Sequence, residues 1–168
     1  MFDLKYSPYE LLYQKVQPFD FDQHDPEQIE QEMIKIMQLH RGVGLAANQI
    51  GLDARVFVAG SNDISGFIEP QAFFNPVILR TSTDIQSDKE GCLSYPGLWL
   101  KVKRPVWIEA AYQNSKGETI EVRVDGYLAK VFQHEHDHLE GICFVNRVSK
   151  LSLNMAAKKL AKQIKRKN

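Results

Sequence analysis

Apolar and polar residues alternate along this 168-residue chain in two periods, one helical and one strand-like. Ile29, Met33, Ile36 and Met37 recur at helical spacing behind Asp25, a capping residue, and Pro26, whose fixed φ suits the first helical position. The pattern predicts a helix there, with both methionines in the core. Leu151, Met155, Leu160 and Ile164 form a less regular apolar stripe that predicts a helix over Leu151–Lys165. Aromatic and β-branched runs predict strands at Arg55–Ala59, Ala72–Leu79, Trp107–Tyr112 and Ile120–Val124. Asn114-Ser115-Lys116-Gly117 is a turn joining the last two into a hairpin, and Ser61–Gly66 is a polar loop. The whole reads as mixed α+β, without internal repeat, low-complexity tract or interdomain linker.

A third helical segment differs in carrying ionisable residues on its apolar face. Tyr127, Val131, His134 and His138 fall within about 60° of one another on a helical wheel. Leu128, Phe132 and Leu139 make an adjoining stripe that leaves little of the segment facing water, as expected of a buried central helix. Asp125-Gly126 supplies a cap before it, and Gly141 a left-handed stop after Glu140. His134, Glu135 and His138 form H-E-x-x-H, which sets two imidazoles where both reach one metal ion and a carboxylate beside them. His136 points the other way and is expected as a helix-surface histidine, with Asp137 either solvated or supporting a ligand.

Catalytic zinc-type sites take three protein ligands and leave one position for water. Of the two cysteines, Cys92 lies in Glu90-Gly91-Cys92-Leu93-Ser94, beside a glycine and polar residues, and is the candidate third ligand. Cys143 has apolar neighbours and reads as core. A disulfide between them is disfavoured in a chain lacking any secretory segment. A Cys/His/His set is compatible with zinc or divalent iron by ligand type. Gly42-Val43-Gly44-Leu45-Ala46-Ala47-Asn48-Gln49 is not a nucleotide loop, because its glycine spacing is wrong and no Lys-Ser or Lys-Thr follows. It reads instead as bare backbone that meets a peptide-like ligand, with the Gln49 amide donating to an oxygen.

Gly-Val-Gly-Leu-Ala-Ala-Asn-Gln, Glu-Gly-Cys-Leu-Ser and Gln-His-Glu-His-Asp-His-Leu-Glu-Gly, in that order, resemble the three signature motifs of peptide deformylase. The resemblance continues through Phe74-Asn75-Pro76, Tyr95-Pro96-Gly97, Val102-Lys103-Arg104-Pro105 and Phe144-Val145-Asn146-Arg147, and covers roughly residues 40 to 149. It implies antiparallel β-sheets packed around the central H-E-x-x-H helix, with N-terminal and C-terminal helices. It implies one divalent metal ion on Cys92, His134 and His138, iron(II) in many members with nickel, cobalt or zinc as substitutes, and water at the fourth position as nucleophile. Glu135 would be general base and then general acid in removing formyl from N-formylmethionyl peptides. The Gln49 amide and the Leu93 backbone N–H would stabilise the oxyanion. Val43, Gly44 and Gly91 would pair with the peptide as an added strand, and Tyr127 and Val131 would wall the methionine pocket. Glu90, also placed at the substrate site, would pair with Arg104 to stiffen the cysteine loop.

Three places depart from the family pattern. Met1–Gln23 lacks the expected Pro-Asp opening, Trp99 stands where many members carry arginine, and Lys130 occupies a position often apolar or arginine. A zinc endopeptidase shares the H-E-x-x-H motif, but its third ligand lies downstream of the helix, and His138 is the last histidine here. A catalytically silent formyl-peptide or ribosome-binding relative is disfavoured by the intact Gln49, Cys92, His134, Glu135 and His138. A structural metal site would need a fourth protein ligand.

Composition adds an ordinary balance: 43% hydrophobic residues and zero formal net charge, as expected for one domain over residues 1–168 with a real core. There is no basic start followed by an apolar run and no apolar stretch approaching 18 residues, so the cytoplasm or an equivalent reducing compartment is expected. A monomer is expected. Charge is uneven, however. Residues 150–168 hold seven basic residues and no acidic one, leaving 14 basic against 21 acidic elsewhere. The basic terminal helix either covers the core as a solvated amphipathic end or contacts ribosomal RNA through Lys158, Lys159, Lys162, Lys165 and Arg166.

Overall fold

A computed structural model describes residues 2–65 and 67–166. Gly66 of the expected loop, and Lys167 and Asn168 of the basic tail, lie outside the described residues. Helix α1 spans Pro26–Leu39, and the Asp25 side chain accepts from the Gln28 N–H as the cap. Strands β1 (Gly44–Ala46), β2 (Val56–Ala59), β3 (Gln71–Thr81), β6 (Trp107–Gln113) and β7 (Thr119–Asp125) form one antiparallel sheet in the order β1-β2-β3-β6-β7. Strands β4 (Ile85–Cys92) and β5 (Tyr95–Pro105) form a separate antiparallel pair. Helix α2 spans Gly126–Leu139 and α3 spans Lys150–Lys165. Among the described residues no helix is long and apolar enough to cross a membrane.

Strand β2 explains the layering. All four of its residues are buried, and successive side chains of a strand point to opposite faces. Val56 and Val58 join the cluster containing Met33, Met37 and Phe74, on the α1 side. Phe57 and Ala59 join the cluster containing Phe132, Leu139 and Ile108, on the α2 side. Phe57 meets Phe132 edge-on at 4.9 Å between ring centroids, which fixes α2 against the sheet.

Several expectations change. The β4-β5 pair and short β1 add to the four expected strands. Asp125 stands at the start of α2, but its side chain makes no capping hydrogen bond; Gly141 is left-handed at φ 72°, as expected of the stop. Tyr127 remains 48% exposed because its part of α2 opens on a cleft. The packed face of α3 is Leu153, Ala156 and Leu160, against β5 and Phe144, whereas Leu151, Met155 and Ile164 are exposed. Leu153 lies about 200° round the helix from Leu151, so the stripe read from the sequence mixed two faces.

Candidate metal centre

Three elements converge beneath the cleft. On α2, His134 and His138 are buried one turn apart. The register of the β4-β5 pair breaks between Gly91, opposite Trp99, and Cys92, opposite Tyr95, so the regular ladder ends at Cys92. Cys92 Sγ then lies 3.2 Å from His138 Nε2, near the roughly 3.5 Å edge of a tetrahedral site. Ligand atoms of Cys92, His134 and His138 all lie within 4.8 Å of one another. Cys143 is buried and both cysteines are free, so there is no disulfide between them.

A carboxylate only accepts, so Glu90 Oε2, at 3.0 Å, fixes the proton of His134 on Nδ1 and leaves Nε2 for an ion. Glu90 is in turn held by Arg104 at 2.6 and 2.9 Å. Burial alone would raise its carboxyl; hydrogen bonds from His134 and Arg104 outweigh that and lower it to about 2. Arg104 also donates to Asp137 at 2.8 Å, and Asp137 is bound from its other side by Arg147. Asp137 is therefore a buried support, not a solvated carboxylate. Glu90 is likewise occupied within the protein, although it lines the cleft.

Glu135 faces the same space. An added Cβ on Gly44 would stand 2.3 Å from Glu135 Oε1, so glycine there lets β1 press against the carboxylate. Oε2 is buried without a hydrogen-bond partner. Burial pushes this carboxyl up to about 7, against the pull of His134 and Arg104. A metal and its water would meet that open oxygen, so the donor set and its surroundings fit a catalytic ion. Gln49 is oriented by Ala46, whose N–H donates to Oε1 at 2.8 Å. Its amide nitrogen consequently points to Ser94 Oγ, 3.1 Å, and to Cys92 Sγ, 3.4 Å. Leu93 follows Cys92 in the turn before β5, and Val43, Gly44, Gly91, Tyr127 and Val131 line the cleft of about 490 Å³.

His136 is excluded from this cluster and is not a free surface histidine. It is partly buried 3.1 Å from Arg55, and burial, then the Arg55 charge, pull its pKa down to about 4. Sequence reasoning also missed Ser94, although it sits inside the cysteine motif. It missed Leu4 and Tyr6, which reach the cleft from a segment with no periodic pattern.

The chain matches the polypeptide deformylase family profile over residues 1–154. It belongs to the polypeptide deformylase family. A peptide deformylase of Thermotoga maritima is 40% identical over 149 residues, 87% of each chain. The crystal structure of a Synechococcus elongatus peptide deformylase in complex with actinonin superposes with TM-score 0.87 and 36% identity, over 94% of this chain and 86% of that one. A Met-Ala-Ser-bound class I type b peptide deformylase from Acinetobacter baumannii superposes with TM-score 0.81 and 28% identity, over 88% and 98%. The candidate third ligand Cys92 precedes the helix, and with the family match this disfavours the endopeptidase reading.

Proposed function

We propose that the site removes the formyl group from N-formylmethionyl nascent peptides and releases formate. The observation that carries this reading is the convergence of Cys92, His134 and His138 beside the Glu135 carboxylate, whose buried Oε2 has no partner, in a peptide-sized cleft. A divalent ion held by those three residues would supply Lewis-acid chemistry, polarising a carbonyl and lowering the pKa of water toward neutrality. Glu135 takes a proton from the attacking water and returns it to the leaving amine. The Gln49 amide, with its orientation fixed by Ala46, and the Leu93 N–H donate to the oxygen that becomes negative. Val43, Gly44 and Gly91 offer backbone to the peptide, while Tyr127 and Val131 wall its methionine side chain. The ligand types suit iron(II), with zinc, nickel or cobalt as substitutes.

Formate release from formyl-Met-Ala-Ser, measured anaerobically with iron-loaded and metal-stripped protein, tests the assignment. Release by loaded protein alone is expected; no release from fully loaded protein overturns it. Gln49→Ala is expected to lower turnover about 100-fold to 1000-fold with metal content unchanged. Undiminished turnover in that variant would remove Gln49 from the oxyanion site.

The whole chain acts as one catalytic domain, a cytoplasmic monomer that meets its substrate at the ribosome. Support for ribosomal contact comes from α3. At about 100° per residue, Lys158, Lys159, Lys162, Lys165 and Arg166 share an arc of about 120° with exposed Leu151 and Met155, opposite the packed Leu153 and Leu160. Co-sedimentation with ribosomes should weaken steeply with salt and fall in Lys158→Glu/Lys162→Glu protein. Binding indifferent to both would refute a role for this helix.

A further inference from the structure

The N-terminal segment and Trp99 on β5 meet in one cavity. Leu4, Tyr6 and Trp99 line the same cleft as Cys92 and Glu135. Trp99 is 62% exposed and Tyr6 49%, so both present aromatic surface to solvent. Neither is loosely held. Trp99 pairs with Gly91 across the β4-β5 ladder, and a Cβ built on Gly91 would stand 3.2 Å from three carbons of its six-membered ring. Gly91 is not among the glycines with positive φ, and the absence of a side chain there lets the ring lie on its backbone.

The N-terminal segment is fixed on both sides of Tyr6. Lys5 N–H donates to Gln49 O at 2.7 Å, and Ser7 N–H to Ser94 O at 3.0 Å. A hydroxyl chain from Ser7 Oγ through Tyr13 to Tyr95, at 2.6 and 2.9 Å, ties the same segment to the start of β5. Leu4 and Tyr6, two positions apart, therefore stand beside the residues that hold the Gln49 amide. This wall is preorganised, so a ligand side chain resting on it gains contact without first ordering it.

We infer that Trp99, with Tyr6 and Leu4, forms a specificity surface for an apolar or aromatic side chain in the residues immediately after the formylmethionine. The inference rests on the deformylase reading for its substrate and names which nascent peptides the site favours. The methionine itself is accounted for by Tyr127 and Val131 on α2, which leaves the aromatic surface on β5 and the N-terminal segment for later residues. A cationic side chain would also stack on Trp99, but Arg41 and Lys89 line the same cleft and repel it. The acidic groups there offer it little, because Glu90 is neutralised by Arg104 and His134 and Glu135 belongs to the reaction. The surface thus selects against a cationic side chain.

The test compares formate release by iron-loaded protein from formyl-Met-Ala-Ser, formyl-Met-Phe-Ser, formyl-Met-Ala-Phe and formyl-Met-Lys-Ser. At least one phenylalanine peptide is expected to exceed the alanine-serine peptide by about fivefold to tenfold in kcat/KM, mostly through KM, with the lysine peptide below both. Trp99→Ala should bring the ratio within about twofold, and Tyr6→Ala should reduce it. Equal kcat/KM across the series, or an undiminished ratio in Trp99→Ala, overturns the inference. Binding supplies a readout independent of turnover: in Trp107→Phe protein, Trp99 emission should respond to the product Met-Ala-Phe or Met-Phe-Ser at lower concentration than to Met-Ala-Ser. Protein that releases no formate but shows this preference loses the deformylase reading and keeps the Trp99 surface. Identical titrations remove the surface whatever the turnover.

Discussion

Glu135→Gln is expected to reduce formate release by about 100-fold to 10,000-fold while the protein keeps its metal. Glutamine preserves the shape of the side chain between Gly44 and the ligand cluster, where Oε1 faces the glycine at close range and Oε2 has no partner. It cannot accept and return a proton, which is the function that geometry leaves to this residue. Glu135 is not one of the proposed ligands Cys92, His134 and His138, so metal content should match the wild type. The loss should appear in kcat more than KM, because the proposed role of Glu135 is to act on the water and leaving amine rather than to grip the peptide. A variant within tenfold of wild-type turnover at equal metal content would assign proton transfer to another group.

Arg104→Met should produce the largest loss of stability, about 3 to 5 kcal/mol in urea unfolding. Arg104 is 4% exposed in its side chain and bridges Glu90 and Asp137, themselves 9% and 8% exposed. Methionine fills much of the volume but leaves two buried carboxylates facing a thioether. Asp137 keeps Arg147 and Glu90 keeps His134, so the loss is partial rather than complete. The acid limb should move as well. In the native protein the Glu90 carboxyl is lowered from 4.5 to about 2, so its contribution is present above pH 4.5 and fades as pH falls toward 2. Without Arg104 that lowering shrinks, and acid unfolding should begin at higher pH. A change under 1 kcal/mol would mean that the three charges are not coupled through Arg104.

Legibility along the chain followed how much of each element's pattern is apolar. Helix α1 was readable because its cap, proline and buried Ile29, Met33 and Met37 all agree. Strand β5 was not, although Leu98, Leu100, Val102 and Arg104 alternate inward. Trp99, Lys101 and Lys103 occupy outward positions, an arginine fills the last inward one, and partner β4 is almost wholly polar, so neither strand resembles a core strand. His136 was misread because helical angle says which way a side chain points, not what another element brings to meet it; Arg55, on the far side of the sequence, makes that site partly buried.

The sequence by itself determined the donor types, the one-turn spacing of His134 and His138, the carboxylate between them and the motif order that marks the family. Those are local properties, set by helical geometry and side-chain chemistry. Only the tertiary structure decided that Cys92 meets the histidines at a break in the β4-β5 register, that buried Glu90, Arg104 and Asp137 form a charge chain ending on half-exposed Arg147, and that Leu4, Tyr6 and Trp99 share a wall. Each joins residues far apart in the chain, and their meeting depends on strand register and packing that no periodicity in one segment encodes.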